Sequence, residues 1–157
     1  MKQVANLDPS LGINPTAEQA AAFFALDPAS PVVFVNLHRY YDLARYPTDY
    51  HDPRLPSDVS GREAYHRYLG EVERRYLPQV GARFLIVAPV ELLMIGDGEW
   101  DEAVLGHYPS KAAAMRLPTL PGYAALAIHR LAGLAAALTV ALGPEALQRF
   151  PIPSLRT

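Results

Sequence analysis

Four polar side chains stand inside apolar stretches of the 157-residue chain, and each is of a type that does chemistry. Asn36 is the only amide in the run Val-Val-Phe-Val-Asn-Leu-His-Arg at residues 32–39. Buried in such a run, an amide without hydrogen-bond partners costs about 1–3 kcal/mol. Asn36 therefore either holds a substrate carbonyl or developing oxyanion, or it is a satisfied core residue tying down a neighbouring loop. His129 follows Ile128 in an apolar stretch, where a neutral imidazole suits a general base near neutral pH. Its alternative is a bond to a backbone carbonyl or a place in an interface. Tyr65 and Tyr68 fall on one helical stripe, and a phenol combines an apolar ring with a polar tip. They either line a pocket for an aromatic or polyketide-like ligand or serve as ordinary core packing.

Three further side chains are candidates for the same pocket. Strand alternation puts Phe34, Asn36 and His38 on one face and Val33, Val35 and Leu37 on the other, so His38 accompanies Asn36. Arg130 is suited to clamp an anion, or else pairs with a carboxylate such as Glu102. Arg62, in the first turn of a helix, either reaches the pocket or is solvated. Catalytic roles are thus expected for His129, Asn36 and Tyr65, and substrate-binding roles for His38, Arg62, Tyr68 and Arg130.

Much other chemistry is excluded. Cysteine is absent, which removes disulfides, thiolate metal sites and thiol nucleophiles. The histidines at 38, 51, 66, 107 and 129 form no i,i+4 pair and no cluster with carboxylates at ligand spacing, so no metal is expected. A haem needs a single histidine, which leaves His129 or His107 as that one route. No Walker loop, GxGxxG or GxSxG elbow occurs. A formal charge of −2 gives no excess of cations to neutralise a phosphate backbone, so nucleic acid is a poor partner. The longest apolar run, at 131–143, is shorter than the roughly 18 residues that a membrane span needs. Asp8, Pro9, Asn14 and Pro15 interrupt any signal-peptide core, so a cytoplasmic protein is expected.

The elements that must position these residues are marked out by 15 prolines. Asn14-Pro15-Thr16 with Gln19 reads as a capping box opening a helix over 17–26, which Asp27-Pro28 ends. Residues 31–40 read as a buried strand. The stretch 40–60 carries Pro47, Pro53 and Pro56 without a clear period. A loop that long is more often a lid or binding loop than passive chain, and closure over the pocket mouth or a partner subunit is expected. Ser60-Gly61-Arg62-Glu63 is a second capping box. Ala64, Tyr65, Tyr68, Leu69, Val72 and Tyr76 form the inward stripe of its helix, with Glu63–Arg67 and Glu71–Arg75 pairs outside, up to Pro78 and Gly81. A long strand over 82–96, bent near Pro89, a turn at Asp97-Gly98 and a strand over 102–108 follow. Ser110 caps another helix, broken at Pro118 and Pro121 and running to about residue 135, before a last strand over 138–142.

The order β-α-β-β-α-β is the split, ferredoxin-like topology of an α+β domain, four antiparallel strands with two helices on one face. The expected organisation is an N-terminal helical extension at 1–30, the ferredoxin-like domain at 31–143 and a tail at 144–157. Because the first strand is apolar on both faces, a second subunit pressing sheet on sheet is expected to cover the other face.

The segments PVVFVNLHRY, SGREAYHRY, GARFLIV, EWDEAVLGHYPSKAA and HRLAGL resemble, in this order, the domain-of-unknown-function 1330 family, over residues 13–143 and including the leading NPTAEQ helix. That family is similar to the dimeric α/β-barrel superfamily, whose members include cofactor-free quinol monooxygenases, muconolactone-type isomerases, haem proteins and small-molecule regulators. The resemblance implies a homodimer and a pocket between sheet and helices. It does not choose an activity. The chain departs from the pattern in a longer, tyrosine-rich 40–60 loop and in the His38-Arg39 strand end. The reading is a homodimer that binds a hydrophobic, aromatic or polyketide-type small molecule without a cofactor. It is either a monooxygenase or isomerase with His129 as base, or a non-catalytic binding or stress-related protein.

Overall fold

The computed structural model describes residues 12–143, and the tail read at 144–157 lies outside them. The expected β-α-β-β-α-β order is present. After α1 (Ala17–Phe24) come β1 (Val32–Tyr40), α2 (Gly61–Glu71), β2 (Arg83–Pro89), β3 (Glu102–Tyr108), α3 (Lys111–Arg116), α4 (Ala127–Gly133) and β4 (Leu134–Leu142). The strands form one antiparallel sheet in the order β2-β3-β1-β4, so the chain has the ferredoxin-like α+β fold.

Local chemistry accounts for the element boundaries. Thr16 and Gln19 close the full capping box of α1, and Phe23 packs that helix on Phe34 of β1, ring centres 5.6 Å apart. Ser60 caps α2 by accepting from the Glu63 N–H. The helical path then widens into a π turn over Val72–Tyr76 and tightens into a 3₁₀ turn over Leu77–Val80. Pro78 sits in the first positions of that last turn, where its missing N–H costs nothing. Gly81, at φ +70°, stops the path.

Two strand boundaries differ from the sequence reading, and α1 ends at Phe24 instead of 26. β2 ends at Pro89 rather than continuing to 96, because proline cannot donate to the ladder. The segment 90–101 is irregular, and glycines at positive φ, Gly96 and Gly98, make its turn. β4 begins at Leu134 instead of 138, because α4 stops at Gly133.

The core lies between α2, α4 and one face of the sheet. Val32, Tyr40, Val104, Tyr108 and Leu134 are buried there against Tyr65, Leu69, Val72 and Tyr76 of the α2 path. Strand pairing puts Val35, Leu37, Leu105, Leu138 and Val140 on the opposite face. Leu138 and Val140 are 44% and 46% exposed there. Among the described residues no helix is long and apolar enough to cross a membrane.

Candidate functional site

A cavity of about 230 Å³ opens between α2, the approach to α4 and the helix-covered face of the sheet. Phe34, Leu69, Val72, Phe84, Val104 and Leu117 give it apolar walls. Polar groups enter from every side: Asn36 and His38 from β1, Thr139 from β4, Tyr65 and Tyr68 from α2, Tyr123 from the turn before α4, and Arg130 from α4 itself. An apolar pocket with a few convergent polar groups is what a small-ligand site requires.

Each polar group is held by its own element. Asn36 donates to the Val104 carbonyl (3.0 Å) and accepts from the Thr139 hydroxyl (2.8 Å), which leaves one amide hydrogen uncommitted. His38 is only 4% exposed. Its Nε2 is 3.3 Å from the Tyr65 hydroxyl, and its Nδ1 is buried without a hydrogen-bond partner among the described residues. Burial lowers the His38 pKa to about 4 against the opposing pull of Glu102, so the imidazole is neutral at neutral pH. The Tyr68 and Tyr123 hydroxyls are 2.6 Å apart. Burial raises Tyr65, Tyr108 and Tyr123 far above the ordinary phenol range, and all three stay protonated. Arg130 donates through Nη1 to Asn14 Oδ1 (3.0 Å) and through Nη2 to the Ile13 carbonyl.

Beside the cavity, and paired with His38 across the strands, Glu102 is fully buried. It accepts from the Tyr40 hydroxyl (2.8 Å), from His66 Nε2 (2.9 Å) and from Arg62 Nη2 (3.0 Å). Burial would push its carboxyl upward, but these bonds and the His66 charge hold it below the usual carboxylate range. The hub ties β1, β3 and the start of α2 together.

Of the seven residues expected in one pocket, Asn36, His38, Tyr65, Tyr68 and Arg130 line the cavity. Two do not. Arg62 turns to Glu102, so the ion pair considered for Arg130 is made by Arg62. His129 stands outside: its Nδ1 is 2.8 Å from the Tyr46 hydroxyl, and its ring meets Tyr46 and Tyr50 edge-on. The reason is rotation about α4. Successive residues of a helix lie about 100° apart, so the turn that directs Arg130 to the cavity directs His129 to the 41–60 loop. The expected convergence of Asn36, Tyr65 and His129 is corrected accordingly.

That loop does not cover the cavity either, and none of its residues lines it. It is pinned against α2 and α4. Tyr46 stacks on Tyr50, Arg67 donates to Tyr46 (3.1 Å) and to the Pro56 carbonyl (2.8 Å), and the Arg45 N–H donates to the Ala132 carbonyl (2.8 Å). Closure over the pocket mouth is thereby corrected. Sequence reasoning missed Tyr123 and Thr139. Thr139 had a signal, since it is the only hydroxyl in the strand Leu-Ala-Ala-Ala-Leu-Thr-Val-Ala-Leu. Tyr123 lay among prolines, where no period could place it. Among the described residues no group of three or more histidines and carboxylates could hold a metal ion.

No family model matches the chain, and no curated protein matches it. Solved structures do. The crystal structure of the RPA0582 protein from Rhodopseudomonas palustris, a protein of unknown function, is 30% identical over 85% of this chain and 96% of its own, with a TM-score of 0.71. The methylated form of RPA0582 gives 30% identity over 84% of this chain and 93% of its own, at 0.72. A more distant one, a dimeric protein of unknown function with a ferredoxin-like fold from Bacteroides fragilis NCTC 9343, is 11% identical over 72% of this chain and 95% of its own, at 0.41.

Proposed function

The chain belongs to the family of the RPA0582 protein, and from that premise we propose that it binds a ring-sized, apolar small molecule in the cavity between its sheet and helices. One observation carries the reading: eight polar side chains, from β1, α2, β3, the turn before α4, α4 and β4, converge on one apolar-walled space of about 230 Å³. Their mutual bonds still leave one Asn36 amide hydrogen, His38 Nδ1 and part of the Arg130 guanidinium without a partner among the described residues, and a buried polar group left unbonded costs stability that a bound molecule would recover. The finer family reading, membership of the domain-of-unknown-function 1330 family, rests on the five sequence segments above. Neutral 2-naphthol tests the binding reading. It should bind the protein with a fluorescence change, and Thr139→Trp, placed at the exposed rim, should abolish that binding. Unaltered binding in the variant would reject the cavity as the site.

Turnover is a second reading, favoured by His38. The His38 imidazole, in the cavity wall beside the Tyr65 hydroxyl, would exchange a proton with a bound hydroxyl, as quinol monooxygenation or isomerisation requires. It replaces His129 as base. Oxygen uptake with 1,4-dihydroxynaphthalene above the buffer rate, lost in His38→Gln, supports turnover. Uptake at the buffer rate leaves a binding protein.

We also infer a homodimer joined through the open sheet face. The exposed Ile86, Leu138 and Val140 on that face support it.

A further inference from the structure

We propose that the molecule held in this cavity is an organic monoanion, an apolar ring bearing a single carboxylate that Arg130 receives; this rests on the binding reading above. The lining contains no aspartate, glutamate or lysine, so Arg130 supplies its one fixed charge. Most arginines of the described chain already have an acid. Arg62 has Glu102, Arg67 has Glu63, Arg74 and Arg75 share Glu71, Arg39 has Glu99 and Arg54 has Asp52. Among the described residues no carboxylate pairs with Arg130, whose contacts are the neutral Asn14 amide and Ile13 carbonyl. Those two acceptors fix the guanidinium plane and use part of its set of five N–H donors. The rest remain for a planar, bidentate partner, the geometry a carboxylate matches.

The surrounding donors agree. In the Tyr68–Tyr123 pair one hydroxyl donates to the other, and the accepting phenol keeps its own hydrogen for a further acceptor. Asn36 keeps one amide hydrogen. With Arg130 these form a surplus of donors over acceptors, facing apolar walls at Phe34, Phe84 and Val104. One guanidinium balances one negative charge. A phosphate dianion would be left under-neutralised, which points to a carboxylate.

The test compares 2-naphthoate with its neutral isostere 2-naphthamide by calorimetric titration at low salt, in the full chain and in Arg130→Gln. The expected result is 2-naphthoate binding at least about tenfold tighter than 2-naphthamide, with the ratio collapsing towards one in R130Q. The wild-type ratio is a test in itself and does not depend on the variant folding. Equal affinity of the two compounds for the wild type, or a preference that survives R130Q, overturns the anion proposal and leaves the cavity reading standing. Failure of both compounds and of 2-naphthol to bind overturns the two together.

Discussion

His38 and Glu102 are strand partners that both sit below their ordinary pKa, for opposite physical reasons. Burial disfavours the charged imidazole of His38, whereas bonds and charge favour the ionised carboxylate of Glu102. The consequences for stability fall in different pH windows. Unfolded, His38 takes up a proton as pH falls through about 6.5, but folded it does so only near 4. The unfolded chain therefore binds more protons in between, and stability should drop as pH falls from 6.5 to about 4. At about 1.4 kcal/mol per unit the loss is on the order of 3 kcal/mol. Arg130, Tyr65, His66, Tyr40 and Glu102 are the polar groups grouped around it. Urea unfolding at stepped pH checks this: His38→Gln should flatten the slope, leaving the residual in the same direction from His107 and His129. Glu102 acts at lower pH, its contribution present above the ordinary carboxylate range and lost as pH falls beneath it. Removing its Tyr40 bond in Tyr40→Phe should cost about 2 kcal/mol in the same assay at pH 7. Strand alternation made the neighbourhood of Asn36 and His38 legible from sequence. The phase of α4 was not, because Pro118 and Pro121 hide where that helix begins, and one residue of phase separates Arg130 from His129.

At the scale of elements, the helices α2 and α4 meet backbone to backbone at Gly61 and Gly133. A Cβ built on Gly61 would lie 2.2 Å from the Tyr41 carbonyl oxygen and 2.7 Å from that of Gly133. One on Gly133 would lie 2.3 Å from the Gly61 carbonyl oxygen. None of these neighbours is a side chain able to swing aside, so the crossing must open. Gly70, in the same helix α2, has nothing within 4 Å of its would-be Cβ. The same change should thus act with opposite sign along one helix. Gly61→Ala should destabilise by about 3 kcal/mol or more through overpacking, whereas Gly70→Ala should stabilise by about 0.5–1 kcal/mol through backbone entropy. Thermal unfolding of the two variants against the parent checks both. Caps and prolines had made these elements readable: Thr16, Ser60 and Ser110 all cap as their spacing implies. The close crossing was not readable, because a glycine at a helix start or end has ordinary local reasons to be there. The 41–60 loop was legible as irregular, but its seat depends on Tyr46, Arg67 and His129 meeting across three separate segments.

At the scale of the whole molecule, one side of the sheet is finished and the other is open. The helix side buries its apolar residues against α2 and its continuation, while the far side leaves Ile86, Leu138 and Val140 more than 40% exposed. Val35, Leu37 and Leu105 lie between them and are half-buried, in a row that crosses all four strands. A face of this kind is costly in water and is stabilised by a matching apolar surface. A second copy supplies one by symmetry, with the same patch on both partners. The expected interface exceeds about 1,600 Å², larger than that of a standard complex. Strand alternation provides an internal control, since adjacent residues of β4 point to opposite faces. Val140→Glu would place a charge within the apolar face proposed to be buried, and light scattering at micromolar concentration should then report the mass of one chain. Thr139→Glu, one residue away but on the cavity side, should leave the mass at two chains. A wild-type protein that scatters as a monomer, or a dimer indifferent to Val140→Glu, would remove the second copy from this face.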